Sequence, residues 1–317
     1  MMSRTQQVLA ALLAVQIVLS AILLWPRAAT GGIEPLFPGL EAEAIVAMTL
    51  TDNQGNTIQL RRVTGEWVLP EADDYPGKAD RITPVLDKIV GLNSQRLVTR
   101  TESSHKRLQV AENDFLRRVE LETADGGKHA FYVGSSPSYG ASHVRVDGRD
   151  ETYLTNALSQ WDLNATPSSW ADTTYFSVAQ DEITHVTLEN ANGTFGFTKD
   201  DAGNWTLDGL VVGEQLDVAE INTVVSRVTS VTMLRPLGKD KLAEYGLDDP
   251  SAVVTVKKDG ETIALSVGSK DLADNSYAVK ASTSPYYVRV GEYSVSSLVE
   301  NARDDFLQPP PTPTPAT

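Results

Sequence analysis

Trp67 and Trp205 stand 138 residues apart, and beyond each begins an apolar pattern that recurs at a spacing of 139. Ile82, Val85, Leu86, Ile89 and Leu92 answer to Ile221, Val224, Val225, Val228 and Val231, the same positions on one helix face. Gly65-Glu66-Trp67 matches Gly203-Asn204-Trp205, and Val133-Gly134-Ser135 matches Val267-Gly268-Ser269 at a spacing of 134. Such a chain is expected to fold as two copies of one unit, and 317 residues are enough for two ordinary domains.

Within the first copy, Ile45, Ala47 and Thr49 alternate with Val46, Met48 and Leu50 ahead of a turn at Asp52-Asn53-Gln54-Gly55, which reads as a hairpin. Gly65-Glu66-Trp67 then carries an aromatic ring onto the sheet face. Pro84 is expected in the first turn of the following helix, where its missing N–H is harmless. Further hairpins are expected around Asp125-Gly126-Gly127 and across 143–154. In the second copy, Ile183, His185 and Thr187 alternate with Thr184, Val186 and Leu188, and Asn192-Gly193 is a strong hairpin turn. Asp217 with Glu220 forms a capping box for a helix over 218–231, rich in β-branched residues and dependent on packing. Tyr245 ends a helical turn, Gly246 supplies a left-handed residue, Leu247 folds back, and Pro250 launches a strand. A helix over 295–307 closes the chain. The fold class expected is α+β: an N-terminal transmembrane helix, then two tandem similar units, each a mainly antiparallel β-sheet with one long packed helix.

Val8 to Trp25 is eighteen residues without a charge, about 27 Å as a helix, enough to cross a bilayer core. Trp25, Pro26 and Arg27 follow it in place of the small residues of a cleavage site, which favours an uncleaved anchor over a signal peptide. The expected organisation is a cytoplasmic stub and anchor at 1–29, a linker at 30–40, units at 41–172 and 173–307, and a Pro/Thr-rich disordered tail at 308–317. The C-terminal units are placed extracytoplasmically on a single-pass cell-membrane protein. The net charge of -15 argues against nucleic acid as a partner. The absence of cysteine excludes disulfides, thiolate metal sites and a cysteine nucleophile.

No catalytic set stands out. His105, His129, His143 and His185 lack ligand spacing, so no metal site is expected. Ser135, Ser136 and Ser138 do not form a nucleophile elbow. The pairs Asp73-Asp74, Asp200-Asp201 and Asp248-Asp249 belong to turns, where the side chain bonds its own backbone. Trp67 and Trp205 read as core before ligand platforms. Arg96 and Arg235, each just beyond a helix, read as complements of the helix C-terminus. No cofactor is implied.

The run Pro35-Leu36-Phe37-Pro38-Gly39-Leu40, the Gly-x-Trp strands, the aliphatic helices, Tyr245-Gly246-Leu247-Asp248-Asp249-Pro250 and the Val-Gly-Ser repeats together resemble a bacterial family catalogued as domain of unknown function 4340. The resemblance covers about 35–307, in two copies. In the first copy Val110-Ala111-Glu112-Asn113-Asp114-Phe115 stands where the second has Tyr245 to Pro250, so that turn is expected to have lost its Gly and Pro. Members look like membrane-anchored proteins encoded beside export-type ABC transporter components similar to those of gliding motility. The resemblance implies an ABC transporter permease or another envelope protein as partner, and no catalytic residue. The expected function is a non-enzymatic accessory or scaffold protein of the cell envelope, attached to the membrane through Val8 to Trp25. An extracytoplasmic binding module for a glycan or other envelope ligand is the alternative, and a hydrolase with a dispersed site a distant third. Tyr245, Leu247, Asp248 and Asp249 are the candidate partner-binding residues.

Overall fold

The computed structural model describes residues 32–200 and 202–309, with Leu13 and Gln16. The first unit opens with strands β1 (Ile45–Asp52), β2 (Thr57–Val63), β3 (Glu66–Leu69) and β4 (Tyr75–Pro76), then helix α1 (Ala79–Val90) and strand β5 (Leu97–Thr99). The short helix α2 (His105–Leu108) and a small hairpin of β6 (Val110–Ala111) and β7 (Asp114–Phe115) follow. Strands β8 (Arg117–Thr123), β9 (Lys128–Val133), β10 (Ser142–Val146) and β11 (Thr152–Thr155) complete it. After β12 (Thr174–Ser177) come β13 (Ile183–Asn190), β14 (Gly193–Lys199), β15 (Trp205–Leu207), α3 (Val218–Thr229), β16 (Ser230–Thr232) and β17 (Arg235–Gly238). The chain continues through β18 (Ala252–Lys258), β19 (Glu261–Asp271), β20 (Ser276–Ala281), β21 (Tyr287–Gly291) and α4 (Glu292–Glu300).

One sheet has nine strands in the order β4-β3-β2-β1-β8-β9-β10-β11-β5, and another has eight in the order β15-β14-β13-β18-β19-β20-β21-β17. From β3 to β5 the first order is the second, strand for strand. Details recur as well. Ile45 in β1 and Ile183 in β13 each precede a bulge in the ladder to the next central strand. The bulge lets Ile45 join Met48 and Leu50, and Ile183 join Val186 and Leu188, on the buried face, where strict alternation would turn each isoleucine outward.

The α+β expectation is corrected: the described chain is mostly β-sheet. Among the described residues four antiparallel sheets, counting the two-stranded β6-β7 and β12-β16, carry the architecture, and helices α1 to α4 have 12, 4, 12 and 9 residues. A 12-residue helix is about 18 Å long, whereas nine strands at ~4.8 Å spacing extend roughly 38 Å. One such helix cannot form a layer over the sheet. The expected transmembrane helix at Val8 to Trp25 lies outside the described residues, as does most of the 308–317 tail; among those described, no helix is long and apolar enough to cross a membrane.

The helices bury the matched faces, Ile82, Val85, Leu86 and Ile89 in α1 and Ile221, Val224, Val225 and Val228 in α3. Pro84 is the sixth residue of α1, not in its first turn, and removes the N–H that Asp80 would otherwise receive. Asp217 caps α3 by accepting from the N–H groups of Ala219 at 3.0 Å and Glu220 at 3.2 Å. The reciprocal half of the expected box is absent, because the Glu220 carboxylate accepts from Asn301 Nδ2 at 2.8 Å. In place of a helix over 295–307, α4 ends at Glu300 and a 3-10 turn over Arg303–Phe306 follows.

Three tyrosines join the units. The Tyr75 and Tyr286 rings meet edge to face at 4.8 Å. Tyr286 donates its hydroxyl to the Asp74 carbonyl at 2.8 Å, and Tyr75 donates to the Asp172 carbonyl at 3.1 Å. Tyr175 donates to the Tyr286 carbonyl at 2.7 Å and accepts from the Ala281 N–H at 2.8 Å. Burial, with Asp172 nearby, pushes the Tyr75 hydroxyl well above the ordinary tyrosine range. The connecting segment is pinned by fully buried Trp170, whose carbonyl accepts from the Lys78 N–H at 2.7 Å. Buried apolar side chains form one continuous cluster through both units.

Candidate functional site

The turn carrying the sequence-predicted residues divides into an inner and an outer half. Tyr245 is buried with its ring 5.6 Å from that of Tyr287, and burial raises its hydroxyl above the ordinary range. Leu247 is half-buried, while Asp248 and Asp249 are exposed. Asp248 pairs with Lys241. A Cβ on Gly268 would stand 2.0 Å from the Tyr245 carbonyl oxygen and 3.0 Å from Leu247 Cγ, so only glycine admits this approach. Ser269 Oγ donates to the Glu244 carbonyl at 2.5 Å. The Tyr-Gly-Leu and Val-Gly-Ser motifs are therefore two sides of one contact, and Tyr245 and Leu247 fasten it from within.

The first unit keeps that contact, correcting the expected alignment. A Cβ on Gly134 would meet the Leu108 carbonyl oxygen at 2.1 Å, and Ser135 Oγ donates to the same oxygen at 3.1 Å. Leu108-Gln109-Val110 thus stands where the second unit has Tyr245-Gly246-Leu247. Gln109 takes the left-handed conformation at φ 56° that Gly246 takes at 62°. The β6-β7 hairpin is an addition: 100–116 connects β5 to β8 with seventeen residues, and 239–251 connects β17 to β18 with thirteen.

That hairpin walls a groove of about 1060 Å³, whose lining includes Glu102, His105, Glu112, Arg145, Arg149 and Asp150. Its two buried polar side chains, His105 and Arg145, are engaged with backbone. His105, 5% exposed, donates from Nε2 to the Asp150 carbonyl at 2.9 Å. Arg145 is 6% exposed, with its guanidinium 4.6 Å over the Tyr132 ring. It donates from Nε to the Val110 carbonyl at 2.7 Å and from Nη1 to the Val146 and Arg149 carbonyls at 3.5 and 3.0 Å.

Lys280 repeats this arrangement in the second unit. Val144 pairs with Val133 and Val279 with Val267, which makes the next residues, Arg145 and Lys280, counterparts. The Lys280 ammonium donates to the Ala281 carbonyl at 3.0 Å and to that of Ser284, and lies 5.4 Å over the Tyr287 ring. Each cation thus holds the carbonyls of the first and fourth residues after it, closing its own hairpin, and burial holds the Lys280 ammonium below the ordinary lysine range. Sequence reasoning missed the pair because the residue types differ. Its signal was a cation at the same ladder position in each unit.

Ser135 and His143 are the nearest approach to a nucleophile and base. His143 Nδ1 lies 2.8 Å from the Ser135 carbonyl oxygen and 3.2 Å from Ser135 Oγ. A carbonyl only accepts, so Nδ1 carries the proton and cannot take one from the hydroxyl. Burial holds His143 below the ordinary histidine range, leaving it neutral. His185 is bonded to the hydroxyls of Thr198 and Thr187, each at 3.0 Å. Among the described residues no group of three or more His, Asp or Glu is placed to hold a metal ion.

Trp67 and Trp205 are buried, each beneath a cation of the neighbouring strand, Arg62 at 5.0 Å and Lys199 at 5.6 Å. Arg96 and Arg235 do not complement helix ends. Arg96 donates to Asn156 Oδ1 at 3.2 Å, and Arg235 pairs with Asp274 at 3.3 Å.

Residues 67–238 match the model of the family described as Domain of unknown function (DUF4340). The match is a single span, from Trp67 in β3 across the tyrosine junction to the end of β17. No curated protein and no solved structure matches the chain.

Proposed function

The chain belongs to the domain of unknown function (DUF4340) family, and from that premise we propose that it is a non-enzymatic accessory or scaffold protein of the cell envelope. It holds the membrane through Val8 to Trp25, presents both units, as tandem copies of one design, on the extracytoplasmic side, and serves an ABC transporter permease. The observation that carries this reading is the use made of four buried or half-buried polar side chains. Arg145, Lys280, His105 and His143 are all bonded to backbone carbonyls that close hairpins or connections. Groups so engaged support a frame whose exposed surfaces do the work. The charge-free run and the family resemblance support the location and the partner. Crosslinking in intact source membranes, followed by detergent solubilisation and recovery of the chain, tests it. A permease should be recovered with the chain; recovery of the chain alone contradicts the transporter assignment.

A second reading, a binding module for a glycan or another envelope ligand, draws on the groove between the β6-β7 hairpin and the β10-β11 turn. Its polar walls of carboxylates, amide and cations suit a hydroxyl-rich ligand. Envelope fragments should then raise the melting temperature of the full chain, and Asn113→Ala should abolish the rise. No rise with any fragment removes this reading.

A further inference from the structure

The outermost strand of the second unit is covered, and that of the first is not. β17 packs against the 3-10 turn Pro70–Ala72 of the first unit. The Lys239 N–H donates to Asp73 Oδ2 at 2.6 Å, and the Lys239 ammonium lies 4.9 Å over the Tyr286 ring. β5 is its counterpart, Arg96 to Arg100 matching Arg235 to Lys239 at the spacing of 139. Ladder geometry agrees, since β5 pairs with β11 through Leu97 and Thr99 while β17 pairs with β21 through Pro236 and Gly238, each skipping one residue. Yet Leu97 and Val98 are 37% and 43% exposed at the end of the nine-stranded sheet.

The covering turn has a free counterpart too. Residues 70–74 follow β3, and 208–212 follow β15 at the same place in the second unit. There Leu210, Val211 and Val212 are 38%, 61% and 104% exposed. The contact inside the chain is thus one edge seated on the segment that follows β3, and the matching edge and the matching segment after β15, where Val211 stands in the place of Asp73, both face solvent. Both are apolar; Arg96 and Arg100 flank the edge, and Asp208 opens the loop, whose other carboxylate, Glu214, is already paired with Arg303. Exposed apolar edge strands are templates for association.

We propose that the chain associates head to tail with a second copy of itself, the 210–212 loop of one copy seated on the Leu97–Thr99 edge of the next. Both surfaces are exposed within one chain, so the contact is made between chains. It is heterologous and repeats, giving rings or filaments. It requires neither the permease nor the glycan reading.

The absence of cysteine makes the test clean. The full chain is prepared in detergent as Val98→Cys and, separately, as Val211→Cys, both at exposed positions. Mixed and oxidised, the two should give a disulfide-linked dimer containing one of each, at least tenfold faster than either variant alone. A chain carrying both substitutions should give a ladder of multimers. In sedimentation velocity the cysteine-free chain should grow with concentration, and Val98→Lys should return it to the monomer. A Val98→Cys preparation that dimerises alone as fast as the mixture indicates a symmetric contact and overturns the proposal. So does a chain that stays monomeric at every concentration, its edge then being left for a different protein.

Discussion

Gly246 occupies the left-handed position of the second unit's turn at φ 62°, and in the first unit Gln109 occupies it at φ 56°; both turns lie against a glycine that nothing larger can replace. At the outermost strand the contrast runs the other way, with matching backbone but β17 covered by its neighbour and β5 open. The comparison separates what the matching strand orders demand from what differs between the units. Close backbone approach is demanded in both, whereas the turn residue and the cover of the edge vary.

Substitution at the demanded positions is expected to do most harm. Gly134→Ala and Gly268→Ala each drive a Cβ to about 2 Å from a backbone oxygen, and each should cost about 4 kcal/mol in urea unfolding. If one were tolerated, the equivalence of the two turns would break. At the adapted position the signs should differ. Gly246→Gln strains the backbone and crowds Ser269 at 2.9 Å, costing about 2 kcal/mol, whereas Gln109→Gly relieves a strained residue and should stabilise by about 1 kcal/mol. Thermal unfolding of both variants measures the difference.

The covered edge offers a smaller handle. Tyr286→Phe keeps the ring against Tyr75 and removes the bond to the Asp74 carbonyl, an expected loss of about 1 kcal/mol. Calorimetry that separates into two transitions in this variant would place the joining of the units on that bond. The smallest effect is one of pH. Arg303 donates to Glu214 at 2.6 Å and holds its carboxyl at about 2, well below the usual carboxylate range. A lowered folded value means that the linked stability is fully present above the ordinary value near 4.5 and is lost as pH falls through about 2. Glu214 Oε2 also accepts from the Val211 N–H at 2.9 Å, so this titration reports on the apolar loop of the second unit. Carbon NMR of the Glu214 carboxyl should show a midpoint near 2, and a midpoint near 4.5 would remove the ion pair from the account.

Much of the frame was legible in the sequence, because a period of two between turn residues and a period of 3.6 on a helix face are local signals. The hairpins around Asp125-Gly126-Gly127 and Asn192-Gly193 and the buried faces of α1 and α3 follow from them. Bulges were not legible, since the extra residue before Met48 or Val186 leaves the alternation looking intact with Ile45 and Ile183 on the wrong face. The weight of the sheets was missed because strand count depends on which short segments pair, and two-residue strands such as Tyr75–Pro76 carry no periodicity. The first turn was misaligned because Gln109 hides a left-handed position that glycine would have announced. Of the candidate residues, Tyr245 is buried and Leu247 half-buried against Gly268, a packing role that a motif shares with a binding site when only its sequence is in view. The tyrosine junction left no trace in the repeat, since Tyr75 and Tyr286 have Gly213 and Glu151 as their counterparts.

Amide hydrogen exchange on the full chain, at a protein concentration low enough to keep it monomeric, compares the two edges directly. Segment 97–100 should exchange early, 237–239 should exchange only with global unfolding, and raising the concentration should slow 97–100 alone. Equal protection of the two segments at low concentration would contradict the claim that one edge is closed by its neighbour while the other stands open.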